Sequence, residues 1–224
     1  MPVTRRDQHG FTLMEMMVTI AIVGVIAALG YSSLSRLRPK ATLASTSAEL
    51  SSIIHGARMS AIASSHDVGV LFFPATSGQA GSLGRIIVYE DGNFDFFLPT
   101  ATVKFSNYVP TSNLAGSLSQ ILTTYDLPAG VVFGPATGMG SSATLPAPLD
   151  GIDVRKACSF CDTASVRRGA IRFDSRGRAT FYDAAGLKAV NGGGSFSLTT
   201  TDVGGLKVFA VVAFSGAVRL VNAD

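Results

Sequence analysis

Hydrophobic and polar positions fall into three regimes along the chain. Met1 to Gly10 is a short polar leader carrying Arg5 and Arg6. Phe11 to Gly30 is a near-unbroken apolar run, interrupted early by one carboxylate, Glu15. Its 20 residues would span about 30 Å as a helix, enough to cross a bilayer. Gly24 and Gly30 weaken such a helix by up to ~1 kcal/mol each relative to Ala, and they let neighbouring helices approach closely. Beyond the apolar run the pattern softens. Leu43, Leu50, Ile54, Ala57 and Ala61 recur at helical spacing and predict one buried face, with Ser45, Ser52, His55 and Met59 opposite. Pro39 lies inside this second stretch, where a kink or a weak joint is expected.

From Asp67 onward the chain reads as strands. Val68 to Phe73 is a continuously apolar, buried strand stopped by Pro74. Arg85 to Tyr89 and Asn93 to Leu98 read as a hairpin around Glu90-Asp91-Gly92, with Gly92 supplying positive φ. Val103 to Tyr108 and Val131 to Phe133 are further strand candidates. Ala170 to Phe173 and Ala179 to Tyr182 flank Asp174-Ser175-Arg176-Gly177-Arg178, a second hairpin. Phe196 to Thr200, Leu206 to Phe214 and Ala217 to Val221 complete the set. Residues 74–84 are Gly- and Ser-rich and read as a loop. Residues 134–151 hold four Gly and three Pro and read as a loop or flap.

Composition changes this picture little. A chain of 224 residues suits one globular domain with appendages. Removing Arg5, Arg6 and Asp7 with the leader lowers the formal charge from +3 to +2, a balance that by itself implies no nucleic-acid partner. The 24 Gly fit a turn-rich β domain.

The order of features at the N-terminus is wrong for an ordinary secretory signal, where the cut follows the apolar core and the core is discarded. Here the junction of small Gly10 with Phe11 precedes the core, so a cut there would leave a chain that keeps its apolar helix. Arg5 and Arg6 favour a cytoplasmic N-terminus by the positive-inside bias, while Arg36, Arg38 and Lys40 pull the other way. The leader order decides for N-inside.

Gly10-Phe11-Thr12-Leu13-Met14-Glu15 followed by an apolar helix resembles the class III leader of type IV pilins and type II secretion pseudopilins. The resemblance implies cleavage between Gly10 and Phe11 by a prepilin peptidase, N-methylation of Phe11, and storage in the bacterial inner membrane. It also implies a partnership with an inner-membrane assembly platform and with other pilin or pseudopilin subunits. Glu15 would then pair with the Phe11 amine of a neighbouring subunit and set the register of assembly. A mid-bilayer carboxylate costs roughly 2.5–3.5 kcal/mol. An opposite charge about 4 Å away returns about 4 kcal/mol at an effective dielectric near 20, so pairing tips the balance. Ala57-Arg58 with Ala61-Ile62, and Ile171-x-Phe173-Asp174-x-x-Gly177-Arg178, are similar to segments of the H-type minor pseudopilins and FimT-like minor pilins. Read without that resemblance, Arg58 is an ordinary solvated residue on the polar face.

Cys158-Ser159-Phe160-Cys161 admits three readings. Zinc needs four ligands, and the three His stand far away at 9, 55 and 66. A thioredoxin-like pair needs a strand feeding a helix, which the flanks do not supply. A structural disulfide fits an oxidising compartment and is the expectation, although so short a loop contributes only about 2 kcal/mol by chain entropy. No metal and no cofactor is expected.

Arg155, Lys156, Arg167, Arg168, Arg172, Arg176 and Arg178 outnumber Asp162 and Asp174 between 155 and 178. A DNA phosphate track is one reading. Some FimT-like minor pilins bind DNA through Gly-Arg-x-Arg. Gly216-Ala217-Val218-Arg219 and Gly177-Arg178-Ala179-Thr180 are near matches, each short of one arginine. Arg176, Arg178 and Arg219 would be the contacts. A solvated, subunit-facing surface is the preferred reading, and nucleic acid is not the expected partner. No nucleophile, base or phosphate-loop pattern supports an enzyme.

The expected architecture is α+β: a leader at 1–10, a transmembrane half-helix at 11–30, an amphipathic half-helix at 31–65, and an antiparallel β-sandwich-like domain at 66–224. The expected function is that of a minor pilin-like subunit of a type II secretion pseudopilus or type IV pilus. It would be single-pass in the inner membrane with a cytoplasmic N-terminus and a periplasmic domain, then part of a fibre. A DNA-binding minor pilin for uptake and a membrane-anchored periplasmic domain that never polymerises are the alternatives.

Overall fold

The computed structural model describes residues 11–74, 84–98, 100, 104–108, 119–134, 158–161, 168–189, 193–200 and 205–223. The chain forms two compact units, Met1–Arg38 and Pro39–Asp224, each taken on its own below. One helix assignment, α1 (Leu13–Ser64), runs 52 residues and continues through Pro39, which is the first residue of the second unit. Ser65, at φ 61°, ends the helix in the left-handed region used by helix C-termini.

In the second unit the face given by helical spacing is the buried one. Leu43, Leu50, Ile54, Ala57 and Ala61 are all buried, whereas Ser45, Ser52, His55 and Met59 are exposed. Every fully buried Leu or Ile stabilises the fold by roughly 1.5–3 kcal/mol.

Among the described residues ten strands form two antiparallel sheets. The larger has the order β3 (Ser119–Asp126), β2 (Arg85–Asp91), β1 (Asp67–Phe73), β5 (Gly169–Phe173), β6 (Ala179–Tyr182), β7 (Lys188–Ala189). The smaller has the order β10 (Val218–Ala223), β9 (Leu206–Val212), β8 (Gly193–Thr200), β4 (Val131–Phe133). The main core joins the apolar face of α1 to both sheets. Val68, Val70 and Phe72 of β1, Ile171 and Phe173 of β5, and Phe196 and Leu198 of β8 all enter it. Phe196 and Phe209 are direct cross-strand partners and stack at 4.4 Å. The fold is thus α+β, a long N-terminal helix with an antiparallel, two-sheet β domain.

From Val68 to Phe73 the strand β1 carries no polar side chain, because both faces of its sheet are covered. Leu71 and Phe73 point away from the main core into a second cluster with Ile87, Tyr89, Ala170 and Tyr182. Phe96, Phe97, Phe105 and Tyr108, from the segment after β2, lie over that face.

This covering corrects the first expected hairpin. Asn93 to Leu98 is not a strand: the Asp91 carboxylate accepts the Phe96 N–H at 3.0 Å and turns Phe96 and Phe97 back onto the sheet. The neighbour of β2 is β3 instead, an exposed edge strand whose polar sequence hides its period. Within Val103 to Tyr108, Phe105–Asn107 forms a 3-10 turn, not a strand. The hairpin β5–β6 stands as expected, and β9 stops at Val212, two residues short of Phe214. The expected loops fall largely on 75–83 and 135–151, outside the described residues, as does the leader with Gly10.

Candidate functional site

In the first unit, Thr12 opens the helix. Its carbonyl accepts the N–H of Glu15 (3.1 Å) and of Met16 (3.2 Å), and its hydroxyl accepts the Glu15 N–H at 3.3 Å. Thr12 therefore caps α1, and Thr12-Leu13-Met14-Glu15 has the spacing of a capping box. The Thr-x-x-Glu spacing that signals this cap lies within the leader motif itself. Glu15 stands in the first turn, where a negative charge is favoured by the helix dipole.

Leu13–Tyr31 has a mean hydropathy of 2.2 and is 0% buried. Phe11, Leu13, Met17, Ile20, Val23, Ile26 and Leu29 are all exposed. Each such side chain is worth roughly 1.5–3 kcal/mol on removal from water, so this surface demands lipid or protein around it. Apart from the adjoining residues and the helix's own backbone, nothing among the described residues lies within 4 Å of a Cβ placed at Gly24 or Gly30.

In the second unit Arg58 lies where three segments meet. It is half-buried, and its Nε donates to the carbonyl of Gly177 at 3.2 Å. Gly177 (φ 73°) and Gly216 (φ 59°) both need the left-handed region. A Cβ at Gly177 would lie 3.0 Å from the Arg58 Nε and 2.8 Å from Ile62 Cδ1, and one at Gly216 would strike the Gly177 carbonyl. This corrects the solvated reading of Arg58, which straps the helix to the β5–β6 and β9–β10 turns.

The β5–β6 turn holds two of the expected DNA contacts, Arg176 and Arg178, and the third, Arg219, is the second residue of β10. The Asp174 carboxylate accepts the backbone N–H of Arg176 and Arg178, and it pairs with the Arg178 guanidinium at 2.6 Å. Burial opposes its charge, but these donors outweigh that and hold its carboxyl below the ordinary range. Arg176, Arg178 and Arg219 are exposed. The other described arginines of the basic run serve internal contacts. Arg168 donates to the carbonyls of Phe105 and Tyr108 and lies over the Phe73 ring, and Arg172 pairs with buried Asp67 and the Tyr182 hydroxyl. Arg155, Lys156 and Arg167 lie outside the described residues.

Cys158 and Cys161 form a disulfide with a Cα separation of 5.2 Å. The loop does more than close on itself. It carries Phe160 into the main core, with ring contacts to Phe72 at 5.6 Å and Phe181 at 5.3 Å. Space for that ring comes from Gly169 on one sheet and Gly194 on the other, where an added Cβ would fall 2.7 and 2.8 Å from it. Cys158 also bridges to Phe196 of β8.

At the helix end His66 Nδ1 lies 2.9 Å from Glu90 Oε1, and Gln120 donates to Glu90 Oε2 at 2.9 Å. The Gln120 amide, helped by His66, holds the Glu90 carboxyl below its usual range against the pull of burial. Burial pushes neighbouring Asp91 up. Among the described residues no group of three His, Cys, Asp or Glu is placed to hold a metal ion.

Comparison with known proteins bears chiefly on the N-terminus. The family described as "Prokaryotic N-terminal methylation motif" matches residues 5–31. Among solved structures the chain is similar to the minor pseudopilin EpsH from the type 2 secretion system of Vibrio cholerae. That likeness has 11% identity and a TM-score of 0.35, and it covers 80% of this chain and 96% of the other. No curated protein matches the chain.

Proposed function

We propose that this chain, type IV pilin-like at its N-terminus, is a minor structural subunit of a type II secretion pseudopilus or a type IV pilus. The observation that carries the reading is the methylation motif together with the exposure of the apolar helix inside it. The methylation motif spans residues 5–31, and the same stretch holds Leu13–Tyr31, an apolar helix with no cover of its own. A prepilin peptidase cuts between Gly10 and Phe11, and Phe11 becomes the methylated N-terminus. Residues 11–30 hold the subunit in the inner membrane, with the leader in the cytoplasm and the β domain in the periplasm.

An assembly platform then draws the helix out of lipid into a fibre, where helices of other subunits replace the acyl chains around it. Glu15 stands one turn from Phe11 and pairs with the amine of a neighbour, so that only a correctly registered subunit satisfies both charges. The strapped β domain is the part left to meet other proteins.

Deletion in the native host, with sheared surface fibres and secreted exoproteins measured in the same cultures, tests the reading. Loss of fibres with normal secretion assigns the chain to a pilus, and loss of secretion with normal fibres assigns it to a pseudopilus. Both remaining normal, with other minor subunits removed in the same strain, would contradict an assembly role.

A further inference from the structure

Phe214 is 82% exposed, more than Leu13 or Tyr31 of the apolar helix at 79%. It stands on the turn between β9 and β10, flanked by residues that face inward: Ala213 and Val218 pack against the main core. The turn is firmly held. Gly216 N–H donates to Val212 O at 2.8 Å, Val212 N–H to Ala217 O at 2.9 Å, and Ala179 N–H, from the other sheet, to Ala213 O at 2.8 Å. Gly216 in turn rests on Gly177 and Arg58, and Gly177 on Ile62, which is 39% exposed. An exposed ring is therefore presented on a braced turn, beside Arg176, Arg178 and Arg219.

We propose that this turn is a docking anchor: Phe214 enters an apolar pocket rimmed by carboxylates on another pilin-like subunit. The proposal rests on the assembly reading above. Interfaces concentrate their affinity in rigid aromatic and arginine anchors, and a braced turn loses little entropy on docking. The charge selects an acidic rim, since Arg176, Arg178 and Arg219 are all exposed and Asp174 pairs with the guanidinium of Arg178. A nucleic-acid track fits less well. Among the described residues of this patch, Arg178 is held by Asp174 and Arg58 is half-buried against Gly177, which leaves Arg176 and Arg219 as exposed cations. Two phosphate contacts would give a salt slope of only about −1.8.

The test places a photoreactive benzoyl-phenylalanine at position 214 of the full-length chain in its native host, with the same probe at Leu187, another exposed turn residue, as comparator. The expected result is an adduct with a pilin-like subunit at 214. Its yield should fall at least fivefold on Arg176→Glu with Arg219→Glu and should be at least tenfold lower from position 187. An adduct that ignores the charge reversal, one removed by nuclease, or none at 214 while the chain is recovered in fibres would overturn the anchor and leave the assembly reading standing. A chain with a processed N-terminus that is never recovered in fibres would overturn both.

Discussion

Arg58 and Glu90 each act through a partner that the local sequence does not name, and the pairing proposed for Glu15 would lie on another subunit. The Arg58 bond reaches 119 residues along the chain, so helical spacing places the residue on a face and says nothing of Gly177. Arg58→Ala should cost about 1.5–3 kcal/mol in chemical denaturation, the range for a hydrogen bond from a charged group. Arg58→Lys should recover less than half, since an ammonium lacks the planar fork. Glu90 has a depressed carboxyl, so the stability it contributes is fully present above the ordinary carboxylate range and is lost as pH falls through the lower folded value. Glu90→Gln should therefore lower the melting temperature at pH 7, and the gap to the unmodified chain should close as pH drops below 4.5, the ordinary value for this group. An equal gap at pH 3 and pH 7 would remove the electrostatic account. Glu15→Ala should leave leader cleavage intact and lower incorporation into fibres several-fold; unchanged incorporation in sheared material would sink the pairing with Phe11.

Among elements, legibility followed exposure and locality. The amphipathic half of α1 and the β5–β6 hairpin were readable because their periods are local and one face of each is buried. The strand β3 was not, because Ser119–Asp126 is an edge strand exposed along most of its length and has no apolar alternation. Asn93 to Leu98 misled because Phe96 and Phe97 are buried by folding back on the sheet, and burial alone resembles a strand. Chain entropy credits the short Cys158–Cys161 loop with only about 2 kcal/mol. In the structure it delivers Phe160 between Gly169 and Gly194, so its loss reaches both sheets. Cys158→Ser with Cys161→Ser should cost clearly more than the roughly 2 kcal/mol of loop entropy, approaching the 3–5 kcal/mol of a buried Phe truncation. A loss at or below the entropic figure, from urea unfolding of oxidised and variant chains, would show that Phe160 stays seated without the bond.

For the whole molecule, one chain joins a well-cored β domain to a helix that has no core of its own. Leu13–Tyr31 is 0% buried, whereas Leu50, Ile54 and Ala61 of the same helix are fully buried. On the proposed reading, a cut before the apolar run, and not after it, would turn that exposed segment into a means of assembly. The most direct check is the intact mass and N-terminal peptide of the chain recovered from host membranes and from sheared fibres. A mature chain starting at Phe11, heavier by one methyl group on its amine, is the result this account predicts. A chain still starting at Met1, or one cut beyond Tyr31 and lacking the helix, would contradict it.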